Sequence, residues 1–220
     1  MRRASPPRAV VFDLDGTLVD SLPLVLASIA HAIEPYGGRP TMDIFAHLGG
    51  PPERFMGTLL DNPAHVPEAL RRMEEFHRGN EQLILPFAGA AEIVATLRTA
   101  GVAGAVWTGR DRESTERMLR RHGLDRAFRT VMCGDDLPTH KPDPEGMREI
   151  LRRLTLRADE TIFVGDADVD VLGGSAAGVD TLLIRHARTI APPILTRSWR
   201  HVATPREAYE VVVAALTAGG

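Results

Sequence analysis

The sequence predicts an α/β protein: a parallel sheet flanked by helices, with a block of helices inserted after the first strand. Three observations carry this. Short apolar runs recur at Ala9–Phe12, Val102–Trp107, Thr130–Cys133, Thr161–Val164 and Val179–Ile184. Runs of that length suit strands buried on both faces, the setting of a parallel sheet. Helical periodicity fills the gaps between later runs, whereas the long gap after the first run carries helical signals only.

The elements follow in order. Residues 1–8 are basic and Pro-containing and read as a frayed tail. The first strand stops at Asp13, and Asp15-Gly16 is a turn pair. Leu22, Val25, Leu26, Ile29, Ala30 and Ile33 then share one helical face, with Ser21 as N-cap and Pro23 in the first turn. Tyr36-Gly37-Gly38 ends that helix. Shorter helices are predicted at about 41–47, 52–61 and 67–80, separated by Gly49-Gly50-Pro51-Pro52 and Asn62-Pro63. Residues 20–84 are therefore expected to form a helical cap domain, and 1–19 with 85–220 the α/β core.

After Pro86-Phe87-Ala88-Gly89 a helix of about 88–100 stops at Gly101. Asp111 caps a helix of about 112–122, and Asp143 caps one of about 144–154 with Pro144 at its first position. A small-residue helix of about 169–177 follows, where Gly173 and Gly174 allow close packing on the sheet at a cost in helix propensity. A last helix covers about 206–217. Strand and helix in alternation give a Rossmann-like sheet with right-handed crossovers.

Composition narrows the partners. The 220 residues are 44% hydrophobic and 25% charged, as in an ordered globular chain. A net charge of -3 argues against nucleic acid. Cys133 is the only cysteine, so no intramolecular disulfide is available, and it reads as a small buried residue. The apolar run near the N-terminus is too short for a signal peptide, and no run reaches membrane-spanning length. A cytoplasmic monomer or homodimer, with neither membrane nor nucleic-acid partner, is expected. Of 26 Lys plus Arg, only Lys141 is Lys. A position that resists so strong an Arg bias suits a site needing a compact point charge.

In a parallel sheet all strands end at one edge, where open α/β sheets place ligands. Asp13, Thr108, Asp135 and Asp166 each stand just past such an end and are expected to converge. Asp13, Asp15, Asp166, Asp168 and Asp170 gather carboxylates there, with Thr108 and Lys141 from neighbouring strand ends. Crowded carboxylates repel unless a cation or a shared proton offsets the charge. Oxygen donors without His or Cys suit Mg²⁺. Lys141, the Thr108 hydroxyl and N–H groups near Leu14, Asp15 and Gly109 could receive a phosphoryl group. The set fits phosphoryl transfer, in which positioning and charge neutralisation dominate.

Four ordered motifs are Asp13-Leu-Asp-Gly-Thr17, Thr108-Gly109, Lys141-Pro-Asp-Pro144 and Gly165-Asp166-Ala-Asp-Val-Asp170. In this order they resemble the haloacid dehalogenase superfamily of phosphotransferases. The helical insert is similar to the small cap of its phosphoglycolate-phosphatase-like subgroup. The resemblance implies an Mg²⁺-dependent phosphatase that hydrolyses a small-molecule phosphomonoester through an aspartyl-phosphate. It implies Asp13 as nucleophile and Asp15 as acid and then base. It implies Thr108, Gly109 and Lys141 around the phosphoryl oxygens. Asp13, Asp15 through its carbonyl, Asp166 and Asp170 would serve the metal, Asp170 directly or by orienting the site.

Other positions receive plainer readings. Asp168 is assigned to the N-cap of its helix. Arg110, where relatives often carry Asn or another small polar residue nearby, is read as facing solvent. An acid at Asp15 sets the chain apart from the dehalogenases, and an insert without Lys sets it apart from the phosphonate hydrolases. A hexose-phosphate mutase is the second enzyme reading. A receiver-like phospho-Asp signalling domain is the alternative from another class. Substrate choice is expected in the cap, with His47, Arg54 and the Gly49–Pro52 loop as candidates, and Phe87 as hinge packing.

Overall fold

A computed structural model describes residues 5–38 and 52–217, with the backbone alone for 52–55. The chain divides into two compact units, Met1–Val19 with Pro86–Gly220, and Asp20–Leu85. It leaves the first unit through β2 (Val19–Asp20) and returns through β3 (Leu85–Pro86), which pair as a two-stranded sheet.

The first unit is a six-stranded sheet of β1 (Ala9–Phe12), β4 (Ala103–Trp107), β5 (Thr130–Met132), β6 (Thr161–Gly165), β7 (Asp180–Ile184) and β8 (Arg200–Val202). Its order is β5-β4-β1-β6-β7-β8, and every pairing is parallel. All residues of β1, β4 and β6 are buried, as a strand covered on both faces must be. The chain builds outward from β1 through β4 to β5, then crosses back to β6. β1 is thus the point where the winding reverses, and in open α/β sheets the ligand crevice lies there.

Helices α4 (Ala90–Thr99), α5 (Arg112–Arg121), α6 (Glu145–Leu154), α7 (Asp168–Ala176), α8 (Pro192–Arg197) and α9 (Pro205–Thr217) complete this unit. One apolar cluster joins Val11, Ala105, Met132 and Phe163 of the strands to Met147, Ile150 and Leu151 of α6. Glycine lets α7 approach the sheet: a Cβ on Gly174 would stand 2.1 Å from the Thr181 hydroxyl. Asp111 caps α5 by accepting from Ser114 N–H at 2.8 Å. At α6 Pro144 is the cap residue, one position later than expected, while Asp143 still accepts from Glu145 N–H at 2.9 Å. The short α8 and β8 carry no periodic signal in the sequence. β8 is a polar edge strand, exposed at Arg200 and His201, so no apolar run announces it.

The second unit holds α1 (Leu22–Ile33), α2 (Pro52–Leu59) and α3 (Val66–Gly79). Ile29, Ala32, Ile33, Met56, Leu60 and Ala69 form its core. Ser21 stands at the N-cap of α1 but makes no side-chain cap bond, because its backbone is already helical at φ -90° and ψ -13°. The helix passes into a 3₁₀ turn, Glu34–Tyr36, closed by Gly37 in the left-handed region at φ 73°. The helix expected at about 41–47 lies outside the described residues, as does Gly49-Gly50-Pro51.

Candidate active site

Strand register brings the site together. Phe12, the last residue of β1, pairs with Val106 of β4 and Val164 of β6. Asp13 therefore follows directly, while Thr108 and Asp166 each come two residues after their paired positions. Asp13 N–H donates to Val164 O at 2.8 Å and Thr108 N–H to Met132 O at 2.9 Å, so the ladder continues to the site. Both side chains are buried.

Lys141 joins the cluster from the segment between β5 and α6. Its Nζ donates to Asp13 Oδ1 and to Asp170 Oδ1, both at 2.7 Å. Its side chain is 7% exposed, and Nζ lies 5.0 Å from the Trp107 ring centroid and 5.3 Å from that of Phe163. Burial alone would lower the Lys141 pKa, but Asp13 and Asp170 outweigh it and raise it, so the ammonium stays charged.

Carboxylate oxygens of Asp13, Asp166 and Asp170 lie within 4.8 Å of one another. Burial, offset by Lys141 and reinforced by Asp170, pushes Asp13 up to about 7. Burial and then the charges of Asp13 and Asp170 hold Asp166 well above the carboxylate range. One ammonium shared by two carboxylates cannot neutralise three. Close oxygens, no nitrogen or sulfur among them, and surplus negative charge fit a hard divalent cation. Asp170 orients the group: its Oδ2 accepts from the N–H of Asp166 at 3.1 Å and of Ala167 at 3.0 Å. That bond caps α7, so Asp170 is the capping side chain and the expectation for Asp168 is corrected. Asp168 is instead the first helical residue, its Oδ1 3.7 Å from Arg188.

Other expected residues sort as follows. Gly109 abuts Gly134, where a Cβ would stand 2.3 Å from its carbonyl oxygen. With Thr108 and Lys141 it lines a cleft that extends to Cys133 and His140. Asp135 is corrected: it is exposed, and its carboxylate accepts from Arg112 N–H at 2.9 Å beside Cys133 and Asp136. Arg110 is also corrected. Its Nε and Nη2 donate to the two oxygens of Asp15 at 2.6 and 2.8 Å, and its side chain is 15% exposed. A bidentate fork on a carboxylate is the strong form of this contact, and it turns Arg110 inward. His47 lies outside the described residues, and Arg54 falls in α2 with its side chain undescribed.

Three further residues reach the site. Tyr209 O–H donates to Thr17 O at 2.6 Å, His186 contacts Gly16 O, and Arg188 donates to Asp166 O. The rule that selects Asp13, a polar residue just past a buried strand, also selects Arg185-His186-Ala187-Arg188 after β7. Tyr209 sits mid-helix and carries no such signal.

Fold and site together define a class: a Rossmann-like α/β protein with a carboxylate–lysine cluster at the switch point of its sheet. The profile of the haloacid dehalogenase-like hydrolases matches residues 10–184. Pyrophosphatase PpaX of Halalkalibacterium halodurans is 35% identical over 181 residues, 81% of this chain and 83% of the relative. Phosphoglycolate phosphatase of Pseudomonas fluorescens is 29% identical over 202 residues, 87% and 74% of the two chains. A solved haloacid dehalogenase superfamily hydrolase of subfamily IA from Geobacter sulfurreducens superposes with a TM-score of 0.75 at 25% identity, covering 96% of this chain and 98% of that one. The chain belongs to the haloacid dehalogenase-like hydrolase family, and it is an enzyme of that class. No helix among the described residues is long and apolar enough to cross a membrane.

Proposed function

We propose that the chain is a phosphatase that hydrolyses a small-molecule phosphomonoester through an aspartyl-phosphate on Asp13. The observation that carries this is the buried Asp13–Lys141–Asp170 chain, with bonds of 2.7 Å on each side of the ammonium, beside Asp166. Such a cluster is costly for stability and is poorly explained by packing alone. The names of the relatives above support a small phosphorylated substrate.

On this reading a carboxylate oxygen of Asp13 attacks phosphorus, and the bond to the leaving oxygen breaks. Asp15 gives that oxygen its proton. Water then attacks the same phosphorus, Asp15 takes the proton back, and the bond to Asp13 breaks to release phosphate. Asp15 must exchange part of its contact with Arg110 for the leaving oxygen. Lys141, the Thr108 hydroxyl and the N–H groups after Thr108 hold the phosphoryl oxygens. Asp13, Asp166 and the Asp15 carbonyl would hold Mg²⁺, with Asp170 as orienting partner. Bound there, Mg²⁺ offsets the negative charge of the phosphoryl oxygens. Substrate choice is assigned to the helical unit, with His47 and Arg54 as the residues to vary.

The test is turnover of p-nitrophenyl phosphate with Mg²⁺. Many phosphates released per chain, with acid-stable label on Asp13, is the expected result. Release that stops at one equivalent per chain would instead mark a receiver-like switch.

A further inference from the structure

The segment that follows β7 turns back onto the site. His186 Nε2 lies 2.7 Å from Gly16 O and 3.7 Å from Asp166 Oδ2. A carbonyl only accepts, so Nε2 carries the proton and donates. Arg188 Nη2 donates to the main-chain oxygen of Asp166. His186 makes its bond from the left-handed region, at φ 50°, which residues with a Cβ seldom occupy.

The turn and the acid loop that these side chains reach are in direct contact. A Cβ on Gly16 would stand 2.3 Å from Asp166 Oδ2. A shift of the turn therefore displaces Asp166. The next carbonyl, Thr17 O, is pinned separately by Tyr209. Like charges on Asp13, Asp166 and Asp170 push their loops apart, whereas a small hard cation demands close and near-ideal oxygen geometry. Loops that repel and must still stay in register need a support from outside themselves.

We propose that the segment after β7 is a brace for the cation site: His186 and Arg188 hold the Gly16 turn and the Asp166 loop in register and so set the affinity for a hard divalent cation. Both are positioning residues. The proposal rests on the reading of Asp13 and Asp166 as cation ligands. It differs from a purely electrostatic role in sign. A guanidinium beside an acidic site repels a cation, so its removal would tighten binding. If Arg188 is a brace, its removal loosens the Asp166 loop and weakens binding.

The experiment is Mn²⁺ titration of the full chain, followed by the electron paramagnetic resonance of the free ion, without substrate. His186→Gly deletes the donor and relieves the backbone. It should weaken Mn²⁺ binding about tenfold, the usual size of an effect of a residue that orients a ligand. His186→Gln, whose amide can donate to Gly16 O, should recover most of that loss. Arg188→Ala should weaken binding by about threefold or more. An unchanged affinity in His186→Gly, a His186→Gln variant as weak as His186→Gly, or tighter binding in Arg188→Ala would overturn the brace. If His186→Gly does not fold, the sign of the Arg188→Ala effect decides. Asp166→Asn separates the two levels: if it binds Mn²⁺ as the parent does, the ligand assignment itself has failed. If it loses binding while His186→Gly does not, only the brace has failed.

Discussion

An exposed helix of the helical unit and the strand-end cluster of the α/β unit use ion pairs in opposite ways. On α3 of the helical unit, Arg71 pairs with Glu68 and Glu75 one turn away on either side, each at 2.5 Å, and both partners stay about half exposed. Arg78 pairs with Glu74 one turn earlier, both side chains mostly exposed. Exposed pairs of this kind are screened by solvent, contribute little and could be replaced at little cost. At the ends of β1 and β6, Lys141 sits between Asp13 and Asp170 with all three side chains at 11% exposure or less. There desolvation competes with attraction, and losing one partner leaves an uncompensated charge. The same kind of pair, a cation with a carboxylate, lies in water along a helix in one place and buried at the strand ends in the other. Burial makes the difference.

The sharpest way to break this comparison is Asp13→Asn. Turnover should fall by about 10⁴-fold or more, as for loss of a nucleophile, while the fold survives because Lys141 keeps Asp170 as its ion partner. Acid-quench labelling and a melting curve measure the two effects, and undiminished turnover would remove Asp13 from its role. Lys141→Arg comes next. It keeps the charge, but a planar fork replaces a compact ammonium between two carboxylates and two aromatic rings. A loss of roughly 10²–10³-fold in kcat is expected, the cost of losing one well-placed donor. A neutral outcome would make the lone Lys an accident of composition.

In the helical unit the large effect should come from apolar groups. Ile29 is fully buried among Ala32, Ile33 and Met56. Ile29→Ala should cost about 2–5 kcal/mol of that unit's stability. Urea unfolding should then show this unit melting ahead of the sheet. The smallest effect belongs to a plain polar cap of the α/β unit. Asp111 is held below the ordinary carboxylate range by Ser114, through its backbone N–H and then its hydroxyl. A depressed carboxylate contributes stability that is present above its unfolded pKa and is lost as pH falls through its folded one. Asp111→Ala should therefore cost about 1 kcal/mol at neutral pH. That cost should shrink as pH drops below about 4, read by urea unfolding across the range.

Much of the fold was legible because β1, β4 and β6 are buried on both faces, which leaves unbroken apolar runs in the sequence. β8 was not legible, since an exposed edge strand needs no such run. The site was partly legible for the same reason. Asp13, Thr108 and Asp166 follow buried strands, and Lys141 stands out against a background of Arg. Arg110, His186 and Tyr209 were misread or missed. Their partners lie 95, 170 and 192 residues away along the chain. Nothing local distinguishes a guanidinium that folds inward from one that faces water.

By itself, then, the sequence determined which segments had to be strands of a covered sheet and which acids stood at their ends, because the demand to bury apolar backbone acts residue by residue. Only the tertiary structure decided which distant side chains close on those acids. That choice depends on strand order and register, which arise when the whole sheet assembles.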